Sequence, residues 1–145
     1  MRRFSLTLAV SVSVFIMFPA APPWMSSEKG LFPPIQRITG RGWWELNLKT
    51  VSRTLDRGAA VLNAVAAMPS LHAGLALLAS MWFTRNARRS VKIASLAYPA
   101  AMTVALVYFG EHYVVDCLAG FAVTGLSWVA VDRWEKKRGL VPQVN

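Results

Sequence analysis

The sequence predicts an all-α integral membrane protein, a single domain built as a bundle of about four transmembrane helices. Hydrophobic residues make up 54% of the 145 residues and charged residues only 16%, whereas a soluble domain carries about 25% charged residues. The apolar residues form long blocks, which is typical of membrane helices. The basic residues gather at the ends of these blocks, where a helix leaves the bilayer.

Four apolar blocks predict the helices, over about residues 4–20, 67–84, 91–109 and 113–131. A helix needs about 20 residues to cross a hydrocarbon core of about 30 Å. The second block reaches this length only if its helix begins at or before Pro69, a residue type that suits the first turn of a helix. The segment at about 21–58 is too polar to cross and is expected to form an outward loop.

The first block also has features of a signal peptide, because Arg2 and Arg3 precede it and the small residues Ala20 and Ala21 end it. Pro22 and Pro23 would lie just beyond a cleavage site there, and Pro19 stands where a small residue is wanted. We therefore interpret residues 1–21 as a retained helix and keep a signal peptide as the alternative.

The basic residues set the expected orientation. They precede the first block, fill the turn between the second and third, and follow the fourth: Arg2, Arg3, Arg85, Arg88, Arg89, Lys92, Arg133, Lys136, Lys137 and Arg138. With four crossings these regions share one side, which the positive-inside rule makes cytoplasmic. Both termini, including a basic tail over 132–145, are then cytoplasmic, and the expected location is the plasma membrane. The net charge of +9 follows helix ends, so membrane lipids are the expected partners and nucleic acid is not.

The histidines, His72 and His112, both lie at outward ends of predicted helices. Asp116 follows His112 by four residues, a spacing that places two side chains on one face of a helix. An ionised carboxylate in an apolar helix costs about 2.5–3.5 kcal/mol on insertion scales, so Asp116 needs a partner. A carboxylate beside an imidazole fixes its tautomer and stabilises its cation. The simpler alternative is a pair that only anchors a helix end.

Two histidines and one aspartate suggest phosphoryl transfer through a phosphohistidine. One imidazole, oriented by a carboxylate, attacks phosphorus, and the second protonates the leaving oxygen. Ser70 is a favoured N-cap beside His72, and helix starts attract anions. A metal site built from His72, His112, Asp116 and Glu111 ranks second. A serine hydrolase based on Ser70 ranks third, because the sequence has no Gly-x-Ser-x-Gly elbow.

These segments resemble a known family. The run Pro-Ser-Leu-His at 69–72 resembles the Pro-Ser-Gly-His motif of the type-2 phosphatidic acid phosphatase superfamily, and residues 108–116 resemble the end of its third motif, where histidine precedes aspartate by four. The leucine variant and the segment at 19–24 look more like the inositolphosphotransferase branch, which includes inositol phosphorylceramide synthases. The resemblance spans roughly residues 19–120.

The resemblance implies a role for each matching residue. His112 would be the nucleophile, Asp116 would orient it, and His72 would protonate the leaving group. Ser70 and the backbone N–H groups beside it would help to hold phosphate. It implies no metal and no other cofactor, and it implies substrates that are lipid phosphates or phosphodiesters at the membrane surface.

Three departures from the family pattern shape the prediction. The third motif often begins with Ser-Arg, where this chain has Ala105 and Leu106. A first motif, Lys-x6-Arg-Pro, is not evident, and four helices are predicted where the family core has about six. Basic side chains of the outward loop are therefore expected to bind the substrate phosphate, and their alternative is contact with anionic lipid. They are Arg37, Arg41, Lys49, Arg53 and Arg57.

The sequence thus predicts a membrane lipid phosphatase or phosphotransferase with its active site on the extracytoplasmic face. Two alternatives stay open: a shortened, inactive family member and a metal-dependent membrane hydrolase. The lipid, the acceptor (water or an alcohol such as inositol) and the association of several copies into a homo-oligomer are also open.

Overall fold

The structure, a computed structural model, describes residues 1–31, 33–35, 47–50, 53–54 and 66–140. Its helices are α1 (Arg2–Met17), α2 (Pro23–Glu28), α3 (Leu71–Phe83), α4 (Arg89–Ser95), α5 (Ala97–Tyr108) and α6 (Val114–Lys137). Within the described residues there is no strand beyond one isolated bridge between Ala20 and Ala66. The all-helical part of the prediction is confirmed.

Within the described residues, two segments are long and apolar enough to cross a bilayer. They are Arg89–Tyr108, which joins α4 and α5, and α6, with 20 and 24 residues. At about 1.5 Å per residue, α6 is about 36 Å long. By contrast, α3 has 13 residues and starts at Leu71, so it is only about 20 Å long. The four predicted crossings therefore stay a prediction.

The helix α6 runs to Lys137, so the first residues of the predicted tail are helical. Asp132 and Lys136 form an ion pair of 3.0 Å one turn apart, a spacing that supports a helix. The lysines of the last turn also face the negative end of the helix dipole. This end of α6 also contacts α1, because the guanidinium of Arg3 in α1 lies 2.8 Å from the carboxylate of Glu135 in α6.

Small residues hold α3 against α6. A Cβ on Gly120 would collide with the carbonyl oxygen of Ser70, and one on Gly74 would lie 2.9 Å from Oγ1 of Thr124. That hydroxyl donates a buried hydrogen bond of 3.0 Å to the carbonyl of Gly74. Close approach of backbones through small residues is the usual packing of membrane helices. It positions the start of α3 beside the start of α6.

The outer surface of the bundle is apolar. Val104 on α5 and Leu126 on α6 are 69% and 71% exposed, while Thr7, Ser11 and Thr124 are buried. Extended apolar surface on a soluble monomer is uncommon and marks contact with another apolar phase. This distribution supports the predicted membrane location.

Candidate active site

The two histidine-bearing segments are joined through their backbones. The N–H of Ser70, just before α3, donates a hydrogen bond of 2.8 Å to the carbonyl of Asp116 in the first turn of α6. The hydroxyl of Ser70 accepts the N–H of Ala73 at 3.3 Å and so caps α3. The segment at 69–72 is thereby fixed against α6, with His72 in the first turn of α3.

A tight turn after α5 brings the chain back toward the segment at 69–72. Gly110 has a φ of +71°, in the left-handed region that favours glycine. The N–H groups of Glu111 and His112 both donate to the carbonyl of Leu106, at 3.0 and 3.3 Å. His112 lies in this turn, before the N-cap Tyr113 of α6. His112 therefore precedes the first residue of α6, Val114.

The structure brings His72 and His112 together. Their ring centroids are 6.0 Å apart and the rings are inclined by 60°. Reacting atoms approach to about 3–3.5 Å on each side of a transferred group, so a phosphoryl group fits between rings at this spacing. His72 is exposed, whereas His112 is buried, with 8% of its surface accessible.

Asp116 faces His112 but does not form the predicted hydrogen bond. Its Oδ2 lies 3.6 Å from Nδ1 of His112, while the same oxygen accepts the backbone N–H of Tyr113 at 2.8 Å. The carboxylate thus caps its own helix, which explains the longer distance. Within the described residues, the buried Nδ1 of His112 has no hydrogen-bond partner. The pair is an ion pair only when His112 is protonated.

Burial lowers the pKa of His112, because a cation is poorly solvated there. The carboxylate of Asp116 and a hydrogen bond with the backbone of Ala67 oppose this effect, and the neighbouring His72 adds to it. His112 is therefore neutral at pH 7, the form in which an imidazole nitrogen is a nucleophile.

The remaining predicted site residues are placed differently. Ser70 is fully buried and its hydroxyl caps α3, so its role as a phosphate ligand stays a prediction. Arg53 is an exposed residue of the loop, and Lys49 also lies in its described part. Arg37, Arg41 and Arg57 lie outside the described residues. In the described part of the chain, histidine, cysteine, aspartate and glutamate side chains do not group in threes as metal ligands do.

One element of the site was underestimated from the sequence. The segment before α2 packs on both histidine-bearing segments, because the carbonyl of Ala20 accepts the N–H of Ala67 at 3.1 Å. The N–H of Trp24 donates to the carbonyl of Gly110 at 3.3 Å. The likeness of residues 19–24 to the inositolphosphotransferase branch was the signal that could have pointed to this contact.

Two curated proteins are similar to most of the chain. A phosphoinositol dihydroceramide synthase of Bacteroides thetaiotaomicron is 27% identical over an alignment of 137 residues, and the match covers 88% of this chain and 44% of that protein. The inositol phosphorylceramide synthase catalytic subunit aur1 of Schizosaccharomyces pombe is 24% identical over an alignment of 135 residues, and the match covers 91% of this chain and 32% of that protein. The chain thus spans less than half the length of these relatives.

The names of these relatives are those of the branch that the motifs resemble, so the predicted resemblance is confirmed. No solved structure matches the chain. The PAP2 superfamily, the type-2 phosphatidic acid phosphatases, matches it over residues 1–130. A match of this extent, together with the paired histidines, establishes that the chain belongs to the PAP2 superfamily.

Proposed function

We propose that this protein is a membrane-embedded phosphotransferase or phosphatase that acts on a lipid-linked phosphate through a phosphohistidine on His112. The observation that carries the proposal is the pairing of His72 and His112, with ring centroids 6.0 Å apart and Asp116 3.6 Å from the buried ring. Membership of the PAP2 superfamily supports the same chemistry.

The first half-reaction forms the covalent intermediate. A neutral ring nitrogen of His112 attacks phosphorus, and the bond between phosphorus and the leaving oxygen breaks. His72, which is exposed and has its ring centroid 6.0 Å from that of His112, donates a proton to that oxygen, which leaves as an alcohol. Burial favours this division of roles, because it keeps His112 neutral.

The second half-reaction releases the product. The hydroxyl of water or of an alcohol attacks the phosphorus of the phosphohistidine, His72 accepts its proton, and the bond to His112 breaks. The ring of His112 is cationic while it carries the phosphoryl group, and a carboxylate 3.6 Å away stabilises that cation. Asp116 thus acts on the intermediate more than on the resting ring.

The transferred phosphoryl group also needs positive partners. Ala105 and Leu106 occupy the positions where the family often has Ser-Arg, so we assign this task to the loop that contains Lys49 and Arg53. Arg37, Arg41 and Arg57 complete the proposed set. If the loop does not supply such a cation, the alternative prediction applies, and the chain is an inactive family member.

The substrate is proposed from two facts. Exposed apolar helices and, within the described residues, two segments of membrane-spanning length support a site within reach of lipids. The names of both relatives concern phosphoinositol-containing sphingolipids, so we propose an inositol-type headgroup donor or acceptor. The proposed arrangement has four crossings in the plasma membrane, cytoplasmic termini and an outward site.

A turnover screen tests the proposal. Membranes containing the protein are incubated with a panel of labelled phospholipids, with and without inositol or ceramide as acceptor. We expect release or transfer of a phosphate-containing group, and its loss in His112→Ala. Cys117→Ala is the matched control, because Cys117, in the first turn of α6, is buried like His112 and has no assigned chemistry. Equal activity of His112→Ala and the control would contradict the proposal.

A further inference from the structure

A basic cavity lies at the end of the bundle opposite the histidines. It has a volume of about 360 Å³ and is lined by the end of α3, by α4 and by Trp128 of α6. His72 lies in the first turn of α3, while Arg85 follows its last turn. A helix of 13 residues separates these points by about 20 Å. The cavity is therefore not part of the proposed active site.

The charge of the cavity is one-sided. Arg85, Arg89 and Lys92 line it, and among the described residues no acidic side chain does. The acids nearest in sequence to Trp128 are engaged elsewhere, since Asp132 pairs with Lys136 and Glu135 pairs with Arg3.

None of the three cavity cations has an ion-pair partner in the described part of the chain. Arg85 is instead held over the ring of Trp82, 4.3 Å from its centroid. This leaves a concentrated, uncompensated positive charge in a concave site.

The other wall of the cavity is apolar. Ile93 and Leu96 line it and are 59% and 48% exposed, so an apolar surface continues outward from the basic residues. A soluble anion would make no favourable contact with such a wall. A phospholipid, by contrast, places its phosphate beside the cations and its chains along the apolar surface. Basic pockets between membrane helices bind anionic lipid headgroups in this manner.

We propose that this cavity binds the phosphate headgroup of an anionic phospholipid at the membrane face opposite the active site. Arg85, Arg89 and Lys92 hold the phosphate, and Ile93 and Leu96 contact the first part of the acyl chains. The site is distinct from substrate binding at the histidines and does not depend on the proposed reaction.

The test compares two variants of equal charge. Arg85→Gln/Arg89→Gln/Lys92→Gln removes the cavity cations, and Arg88→Gln/Arg133→Gln/Lys137→Gln removes three exposed cations of the same basic regions that do not line the cavity. Binding of phosphatidylglycerol and phosphatidylcholine to the full chain in detergent micelles is measured by native mass spectrometry. Circular dichroism checks the fold, and Lys92→Gln against Arg88→Gln replaces the triples if they do not fold.

We expect the parent protein to prefer phosphatidylglycerol. The cavity variant should lose about fivefold in affinity per removed cation, and the control variant should lose much less. Equal losses in both variants would overturn the proposal in favour of general attraction to anionic lipid. Equal binding of the two lipids by the parent, or displacement of phosphatidylglycerol by millimolar inorganic phosphate, would overturn it as well.

Discussion

The backbone N–H of Ser70 donates a hydrogen bond to the carbonyl oxygen of Asp116 at 2.8 Å. This bond joins the turn before His72 to the helix that carries the carboxylate facing His112. It requires α3 and α6 to approach closely at Gly120, where a Cβ would collide with the Ser70 carbonyl. The geometry of the histidine pair thus depends on the absence of a side chain at this position.

Gly120→Ala is expected to separate the two motifs. The added methyl group meets a backbone carbonyl, so we expect a loss of about 1–3 kcal/mol in stability together with a fall in turnover. Gly125→Ala is the control, because its Cβ meets nothing within 4 Å and alanine favours a helix by up to about 1 kcal/mol. Thermal unfolding in micelles measures both variants. Equal stability of the two variants would contradict the close contact between α3 and α6.

Asp116→Asn should lower kcat by about 100-fold or more, within the range for removing a group that stabilises charge during the reaction. The amide oxygen of asparagine can still accept the N–H of Tyr113, so the helix cap is retained while the negative charge beside His112 is lost. KM should change little, because lipid contacts are unaffected. A variant with normal kcat and a raised KM would show that Asp116 serves substrate binding instead.

The acidic limb of the pH profile reports His112. Burial lowers its pKa below the ordinary value of 6.5, and the neutral ring is the nucleophile, so kcat/KM should fall only as the pH drops below about 6.5. Since Asp116 raises this pKa, Asp116→Asn should move the limb to lower pH. A shift to higher pH in that variant, or a limb that does not move, would contradict the electrostatic coupling of the two residues.

His72→Ala separates proton donation from nucleophilic attack. With an alkyl phosphate substrate, whose leaving oxygen needs a proton, we expect a loss of about 100- to 10,000-fold. With p-nitrophenyl phosphate, whose leaving group departs as an anion, the loss should be small. Equal losses with both substrates would show that His72 acts in another way, for example by binding the phosphoryl group.

The sequence predicted the helical class well, because apolar blocks bounded by basic residues depend only on composition along the chain. The boundaries were harder. Pro69 suggested a helix start, but Ser70 caps the helix and delays its first residue to Leu71. The motif spacing suggested that His112 and Asp116 share a helix, yet Gly110 makes a turn that leaves His112 before α6.

For the candidate site, the sequence could indicate which residues meet. His72 and His112 were expected to face one another from their depth in the predicted topology, and the structure places their rings 6.0 Å apart. The longer distance from Asp116 to His112 was not predictable, because it arises from competition for the carboxylate by the N–H of Tyr113. The basic cavity was also missed, since the sequence shows the cations of the α3–α4 turn but not the concave shape between the helices.

The central claim is that His112 carries the phosphoryl group, and trapping that intermediate tests it most directly. The protein is mixed briefly with a phosphorus-32-labelled lipid phosphate, quenched in alkali, in which phosphohistidine is stable, and digested for mass spectrometry. The account predicts label on His112 in the parent and in His72→Ala supplied with an activated leaving group, and none in His112→Ala. Turnover by the parent with no label on His112, or label retained in His112→Ala, would contradict it.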